Sequence, residues 1–380
     1  MNVVVPQHGM HGSERLKSAA RAVSSLAASR ADRLDREGEF PAEDVADCHR
    51  LGLLAAPLPH GLGGSSLNEA GMAPLLLDVL ALLGRGSLAL GRLYEGHVNA
   101  LSLVSRYAST PVRERLAGDA MDGHLFGVWN TQSAEGGLVL SEEGVRYRLS
   151  GSKSFASGAG FVTRPLVTAR RPDGRQQMLV VDLGQGERAD LSSWRAQGMR
   201  ASVSGTVDFS ELCVGPEAFI GDPDDYFREP DFSGGAWRFC AVQLGGIEAV
   251  FDTLRQHLRE TRRDGDAHQR GRVGQAAIAV ETARLVVARA ASIANDPNVH
   301  TDQAIAYVNL ARSSVERAGL DVLEHAQRSI GLAGFLQGHP IERLSRDLMV
   351  YLRQPGPDRA LDMAAGYVLA RSGPADSLWH

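Results

Sequence analysis

Apolar residues recur at helical spacing through the first third of the chain. Leu16, Ala20, Val23, Ala27 and Ala31 share one stripe and predict a helix over residues 14–35, after a loose tail at 1–13. Pro41 opens a second helix. The acids of Ala42-Glu43-Asp44 then fall in its first turn, where the helix dipole favours them. That helix stops near Gly52, and Pro57, Pro59, Gly61, Gly63 and Gly64 make a loop. Residues 67–84 and 87–120 return to helical spacing.

At about residue 122 the period changes to two. Residues 145–150 alternate as a half-buried strand does, and 166–169, 178–182 and 206–209 are further short strands between Gly- and Asp-rich turns. This region predicts an antiparallel β domain. From about residue 236 the helical period returns, over 238–263, 273–294, 301–330, 341–353 and 359–371. The last two are split by Gln354-Pro355-Gly356-Pro357, where proline cannot continue a helix. The predicted organisation is α+β: an all-α domain over 14–121, a β domain over 122–232 and an α-helical bundle over 233–372.

Composition narrows the class. Of 380 residues 43% are apolar and 22% charged, a globular balance that can supply a large core. A net charge of −5 leaves no electrostatic footprint for nucleic acid or an anionic membrane surface. Only Lys17 and Lys153 are lysines, so the abundance of arginine follows coding bias and is not itself a functional signal. Cys48, Cys213 and Cys240 have no metal-ligand spacing and read as reduced thiols. The start of the chain lacks a basic segment followed by an apolar run, so no signal peptide is expected. Asp78 and Arg85 interrupt the most apolar stretch, 72–90, which predicts a buried helix and no membrane span. A cytoplasmic protein without a metal site is the expectation.

Several local motifs, in order, resemble the acyl-CoA dehydrogenase superfamily. They are Phe40-Pro41, Leu51-Gly52-Leu53-Leu54 and Gly63-Gly64; then Gly151-Ser152-Lys153-Ser154-Phe155-Ala156-Ser157-Gly158-Ala159. Gly198-Met199-Arg200-Ala201-Ser202 through Phe209 follows, and Gly331-Leu332-Ala333-Gly334-Phe335 with Arg343 and Arg346-Asp347 closes the set. The resemblance covers roughly residues 15–372. It implies an acyl-CoA dehydrogenase-like fold, an FAD cofactor, and α,β-dehydrogenation of an acyl thioester carried by CoA or a carrier protein. It also implies at least a homodimer, commonly a homotetramer. Phe155 and Ser157, two apart on one predicted strand, match positions that stack on and hydrogen-bond to the flavin ring. Trp129, Asn130 and Thr131 replace part of the family's flavin loop, in the run Trp129 to Gly136. Arg262 and Gln275 fall where the family has a phosphate-contacting Arg and a Gln, over a longer spacing than usual. Arg328 stands where the family has Gln, and Gly331 and Gly334 would let backbone approach the pyrophosphate.

The sequence departs from the family at the general base. The family reaction needs a carboxylate at the α carbon. By the resemblance, one usual Glu position falls on Pro355 and the other on Trp237. Glu229, Asp231 and Glu95 are the remaining candidates. Glu95 sits in Tyr94-Glu95-Gly96, which echoes the family's base motif but lies in the N-terminal helices. Three readings follow: a dehydrogenase with its base elsewhere, a flavin monooxygenase of this fold using His97 and Ser157, or an FAD- or acyl-binding scaffold without catalysis. Fold alone does not choose among them.

Overall fold

The computed structural model describes residues 7–133, 136–353 and 355–379. Residues 1–6 of the expected tail, Ala134 and Glu135 of the flavin loop, and Gln354 lie outside the described residues.

Five helices come first: α1 (Gln7–Glu37), α2 (Ala42–Arg50), α3 (Ala73–Gly86), α4 (Leu88–Tyr107) and α5 (Thr110–Met121). The expected tail is shorter than predicted, because α1 already begins at Gln7. The stripe from Leu16 to Ala31 is buried, as its spacing requires. The single helix predicted over 87–120 is two helices. Pro111 lies in the first turn of α5 and would have clashed with the carbonyl of Tyr107, where α4 ends.

Ten strands follow: β1 (Phe126–Trp129), β2 (Val139–Glu143), β3 (Arg146–Ser150), β4 (Ser152–Ala156), β5 (Arg164–Arg170), β6 (Gln176–Val180), β7 (Ala189–Asp190), β8 (Gly205–Asp208), β9 (Cys213–Val214) and β10 (Phe219–Ile220). One sheet runs β10-β6-β5-β2-β3-β9 with β1 also on β5, and a smaller one runs β4-β8-β7. Most pairings are antiparallel, but β1 and β2 both run parallel to β5. The larger sheet is therefore mixed, a register that period-two alternation does not encode, while the smaller one is antiparallel throughout.

The remaining helices are α6 (Asp231–Gly234), α7 (Trp237–Glu260), α8 (Ala267–Ala294), α9 (Thr301–Ile330), α10 (Pro340–Tyr351) and α11 (Pro357–Leu369). α8 starts earlier than the apolar spacing suggests because Asp266 caps it, accepting from Gln269 N at 2.9 Å. A continuous buried core runs from α1 through the strands to α10. Two links tie the parts together: Asp347 Oδ1 accepts from Met199 N at 2.6 Å, and Arg346 pairs with Asp35 of α1 at 2.6 Å. Among the described residues no helix is long and apolar enough to cross a membrane. Cys48 and Cys240 are buried, Cys213 is exposed, and all three thiols are free.

Candidate functional site

A cavity of about 530 Å³ opens between α4, the end of β1 and the segment from Tyr226 to Phe239. α4 is apolar on most of its surface, but Glu95, Asn99, Ser102 and Arg106 recur at helical spacing and all line this cavity. The first turn of α7 faces them with Trp237 and Arg238. The structure thus brings Glu95, Asp231 and Trp237 to one place.

Glu95 is 3% exposed. Its carboxylate accepts from the Arg92 guanidinium and from Asn99 Nδ2. Burial works against the charge of Arg92, but Glu95 together with Tyr351 and Tyr226 outweighs that penalty, so the guanidinium stays above its ordinary range. Asn99 in turn accepts from Arg238 Nη1 at 3.3 Å. Asp231 is held at the rim by Arg106 and by Tyr107 Oη at 3.1 Å. Burial, then Asp231, pushes the Tyr107 phenol up.

Val128 belongs both to this cavity and to a narrow slot lined by Arg92, Gly96, Trp129 and Ser157. Trp129 is buried and donates from Nε1 to Ser157 O at 3.0 Å. Ser157 Oγ accepts from Ser204 Oγ at 3.4 Å, and Ser204 lies 3.0 Å from Ser202 Oγ. Phe155 and Ser157 do not share a strand face. β4 ends at Ala156, its register shifts between Lys153 and Ala156, and Phe155 takes φ +51. The bulge leaves the Phe155 ring 70% exposed.

The loop after β1 is tied down from beneath by Lys153. That side chain is fully buried and donates to Asn130 O at 3.3 Å, Gln132 Oε1 at 3.1 Å and Thr168 Oγ1 at 3.2 Å. Its partners are all neutral, and burial pushes the ammonium down to about 7. Asn130 is used twice, since its side-chain oxygen also accepts from Thr168 Oγ1. Thr131 is exposed and its carbonyl accepts from Ser154 N at 3.1 Å.

The expected phosphate-binding residues lie in the helical bundle. Arg262 and Arg328 share a surface cavity of about 560 Å³ with Arg263, Arg272 and His268. Arg328 pairs with Glu324 at 3.0 Å. Gln275 is exposed on α8, outside the lining of that cavity. Gly331 takes φ +76, where a side chain would be strained. Gly334 has a different role from the one expected: it is buried, and an added Cβ would meet Ile341 at 2.7 Å, so its small size serves packing.

Three candidates fall outside the cavity. His97 is a core residue. Its Nδ1 accepts from Phe126 N at 3.1 Å, so Nε2 carries the proton and donates to Leu54 O at 2.8 Å. Burial pushes the imidazole down to about 4, keeping it neutral and unavailable to substrate. Glu229 is exposed and accepts from Ser233 N at 3.0 Å and Ser233 Oγ at 2.5 Å, fastening its own turn. Pro355 is exposed, and its carbonyl accepts from Arg312 Nη2 at 2.7 Å. The residue that sequence reasoning passed over is Arg238. The one available signal was a polar stripe on α4 that needed a polar partner.

Residues 13–124 match the family described as Acyl-CoA dehydrogenase, N-terminal domain, and residues 227–361 match Acyl-CoA dehydrogenase, C-terminal domain. Cyclohex-1-ene-1-carbonyl-CoA dehydrogenase of Geobacter metallireducens is 26% identical over 365 residues, covering 90% of this chain and 93% of its own. TdsC of Paenibacillus sp. A11-2, solved with FMN and indole, superposes with a TM-score of 0.84 at 20% identity, covering 96% of this chain and 100% of its own. Glutaryl-coenzyme A dehydrogenase in its glutaryl-CoA complex superposes with a TM-score of 0.83 at 21% identity, covering 97% of each chain. At those identities the two superpositions speak to fold.

Proposed function

The chain belongs to the acyl-CoA dehydrogenase family, and from that membership we propose that it is a flavin-dependent oxidoreductase whose cavity between α4 and α7 receives an acyl thioester. The observation that carries this reading is the common wall. Val128 separates the cavity from the slot of Trp129 and Ser157, so substrate and flavin ring can lie on neighbouring surfaces.

The residues present fit a flavin. Phe155 offers an exposed aromatic face, which water alone does not favour, and Ser157 offers a hydroxyl positioned by Ser204. Trp129, Asn130 and Thr131 form the adjoining loop. Arg262 and Arg328, with two further guanidinium groups beside them, suit a second phosphate, which favours FAD over FMN. Gly331 leaves the backbone beyond α9 open to the same ligand. By the family resemblance this basic cluster serves a flavin shared with a neighbouring subunit, so a homodimer or homotetramer is part of the reading.

Bound flavin would supply the two-electron acceptor for α,β-dehydrogenation. The chain itself must take the α-proton. Pro355 cannot, nor can Trp237. Glu95 is the buried carboxylate of the cavity wall. Arg92 and Asn99 fix its orientation, and each oxygen keeps a lone pair free. Glu95 is therefore the proton acceptor in this reading, and Arg92 is its positioning residue.

A second reading, oxygen transfer by reduced flavin, is favoured by the absence of a carboxylate at both Pro355 and Trp237. Product analysis separates the two. The flavin-loaded protein is incubated with short acyl-CoAs and an artificial electron acceptor, and separately with reduced flavin and oxygen. Loss of two hydrogens from the acyl chain supports dehydrogenation. Gain of one oxygen, only in the second mixture, would replace it with the oxygenase reading.

A further inference from the structure

Tyr226 brings an open hydroxyl to the cavity. It lies in the turn Asp225–Phe227, ahead of α6, and lines the same space as Glu95. The turn is pinned beside it: Asp225 is buried, accepts from Asp222 N at 2.9 Å and pairs with Arg228 at 2.6 Å. The Tyr226 ring meets Phe227 and Phe232 edge to face, with centroids 5.1 and 5.4 Å away. Two neighbouring tyrosines commit their hydroxyls to protein, Tyr94 to Leu53 O at 2.9 Å and Tyr107 to Asp231 at 3.1 Å. Tyr226 Oη makes no hydrogen bond among the described residues, and it keeps surface that a cavity ligand can reach.

Burial pushes the Tyr226 phenol up to about 12; Arg92 opposes the rise and Glu95 adds to it. The group therefore remains a donor at neutral pH, within electrostatic reach of the ion pair that holds the proton acceptor. Phenylalanine would pack the same ring against the same neighbours. What tyrosine adds is one donor that the protein itself does not use. Thioester chemistry in this cavity supplies the acceptor. When the α C–H bond breaks, its proton passes to the Glu95 carboxylate and its electron pair spreads onto the carbonyl oxygen. A donor at that oxygen is worth more on the developing charge than on the neutral carbonyl, so it lowers the barrier.

We propose that Tyr226 is a catalytic residue whose hydroxyl donates to the thioester carbonyl oxygen while Glu95 takes the α-proton. This rests on the reading of the cavity as the acyl site and of Glu95 as the proton acceptor. Tyr226 keeps its own proton throughout and stabilises the enolate by hydrogen bonding alone.

The test uses acetyl-CoA, which has no β carbon and so can enolise without being dehydrogenated. The flavin-loaded protein in deuterium oxide should exchange the α-hydrogens of bound acetyl-CoA, followed by mass spectrometry. Tyr226→Phe should slow that exchange at saturation by about 10²–10³-fold. Its affinity for acetyl-CoA, read by calorimetry, should fall by less than about tenfold, and its melting temperature should not move. Isotope-edited infrared spectra of the labelled thioester carbonyl should show a lower stretching frequency on the wild-type protein than on Tyr226→Phe, a signature that a merely structural role would not give. Equal exchange rates or equal carbonyl frequencies in the two proteins would overturn the Tyr226 proposal and leave the thioester reading standing. A wild-type protein that binds acetyl-CoA without exchanging it, or that does not bind it, would overturn both.

Discussion

Glu95→Gln is expected to slow substrate-driven flavin reduction by about 10²–10⁴-fold, the usual contribution of a positioned general base. The substitution keeps the shape of the side chain and an oxygen for Arg92, but the amide cannot take the α-proton. The wall would also lose its counter-charge to Arg92. Removing one partner of a buried pair costs about 3–5 kcal/mol, so stability should fall as well. The rate is therefore measured by anaerobic rapid mixing at a temperature where circular dichroism reports native protein with its flavin retained. Glu95→Asp, which preserves the charge but withdraws the oxygens, should fall between the two. A folded, flavin-loaded Glu95→Gln protein that is reduced at the wild-type rate would remove Glu95 from the chemistry. Pro355→Glu offers a complementary check. Its side chain is exposed and the backbone bond from Arg312 survives the change, so a carboxylate there should restore turnover to Glu95→Gln if the family position is still within reach of the substrate.

Lys153→Met should change the pH dependence of stability. In the unfolded chain this lysine holds its proton up to its ordinary value of 10.5, and in the folded protein only to about 7. Between those values the unfolded state carries the extra proton, so unfolding becomes harder as pH rises. From pH 7.5 to 9 the wild-type protein should gain roughly 2 kcal/mol relative to Lys153→Met. Urea unfolding of both proteins at the two pH values measures it. Parallel stabilities would mean that Lys153 stays charged in its pocket of neutral oxygens. The variant should also loosen the loop after β1, because Asn130 and Gln132 lose the donor that anchors them.

Much of this architecture is legible in the order of hydrophobic periods. The stripe from Leu16 to Ala31 is buried along α1, and the alternation of residues 145–150 becomes β3. These readings hold because burying a periodic apolar face is the dominant local force. What was lost depended on single residues acting at a distance or against the period. Pro111 cuts one predicted helix in two, and Asp266 starts α8 early. The bulge at Phe155 moves an aromatic ring off the strand face that spacing assigned to it. The site was less legible than the fold. His97 has the residue type of a catalytic group, yet Leu54 and Phe126 use both of its nitrogens, and neither partner can be inferred from the local sequence. Glu95 sits in a triplet that echoes a family motif in another part of the chain. What gives it a candidate role is the packing of α4 against the first turn of α7, a tertiary contact between residues far apart in sequence.

The central claim is that this chain couples a bound flavin to oxidation of an acyl thioester. The most direct measurement is the visible spectrum of the purified, FAD-loaded protein before and after anaerobic addition of short acyl-CoAs, with both methyl-ended and carboxylate-ended chains in the panel. The account predicts a yellow protein that bleaches with at least one member of the panel. A yellow protein that stays oxidised with every member of the panel would contradict it.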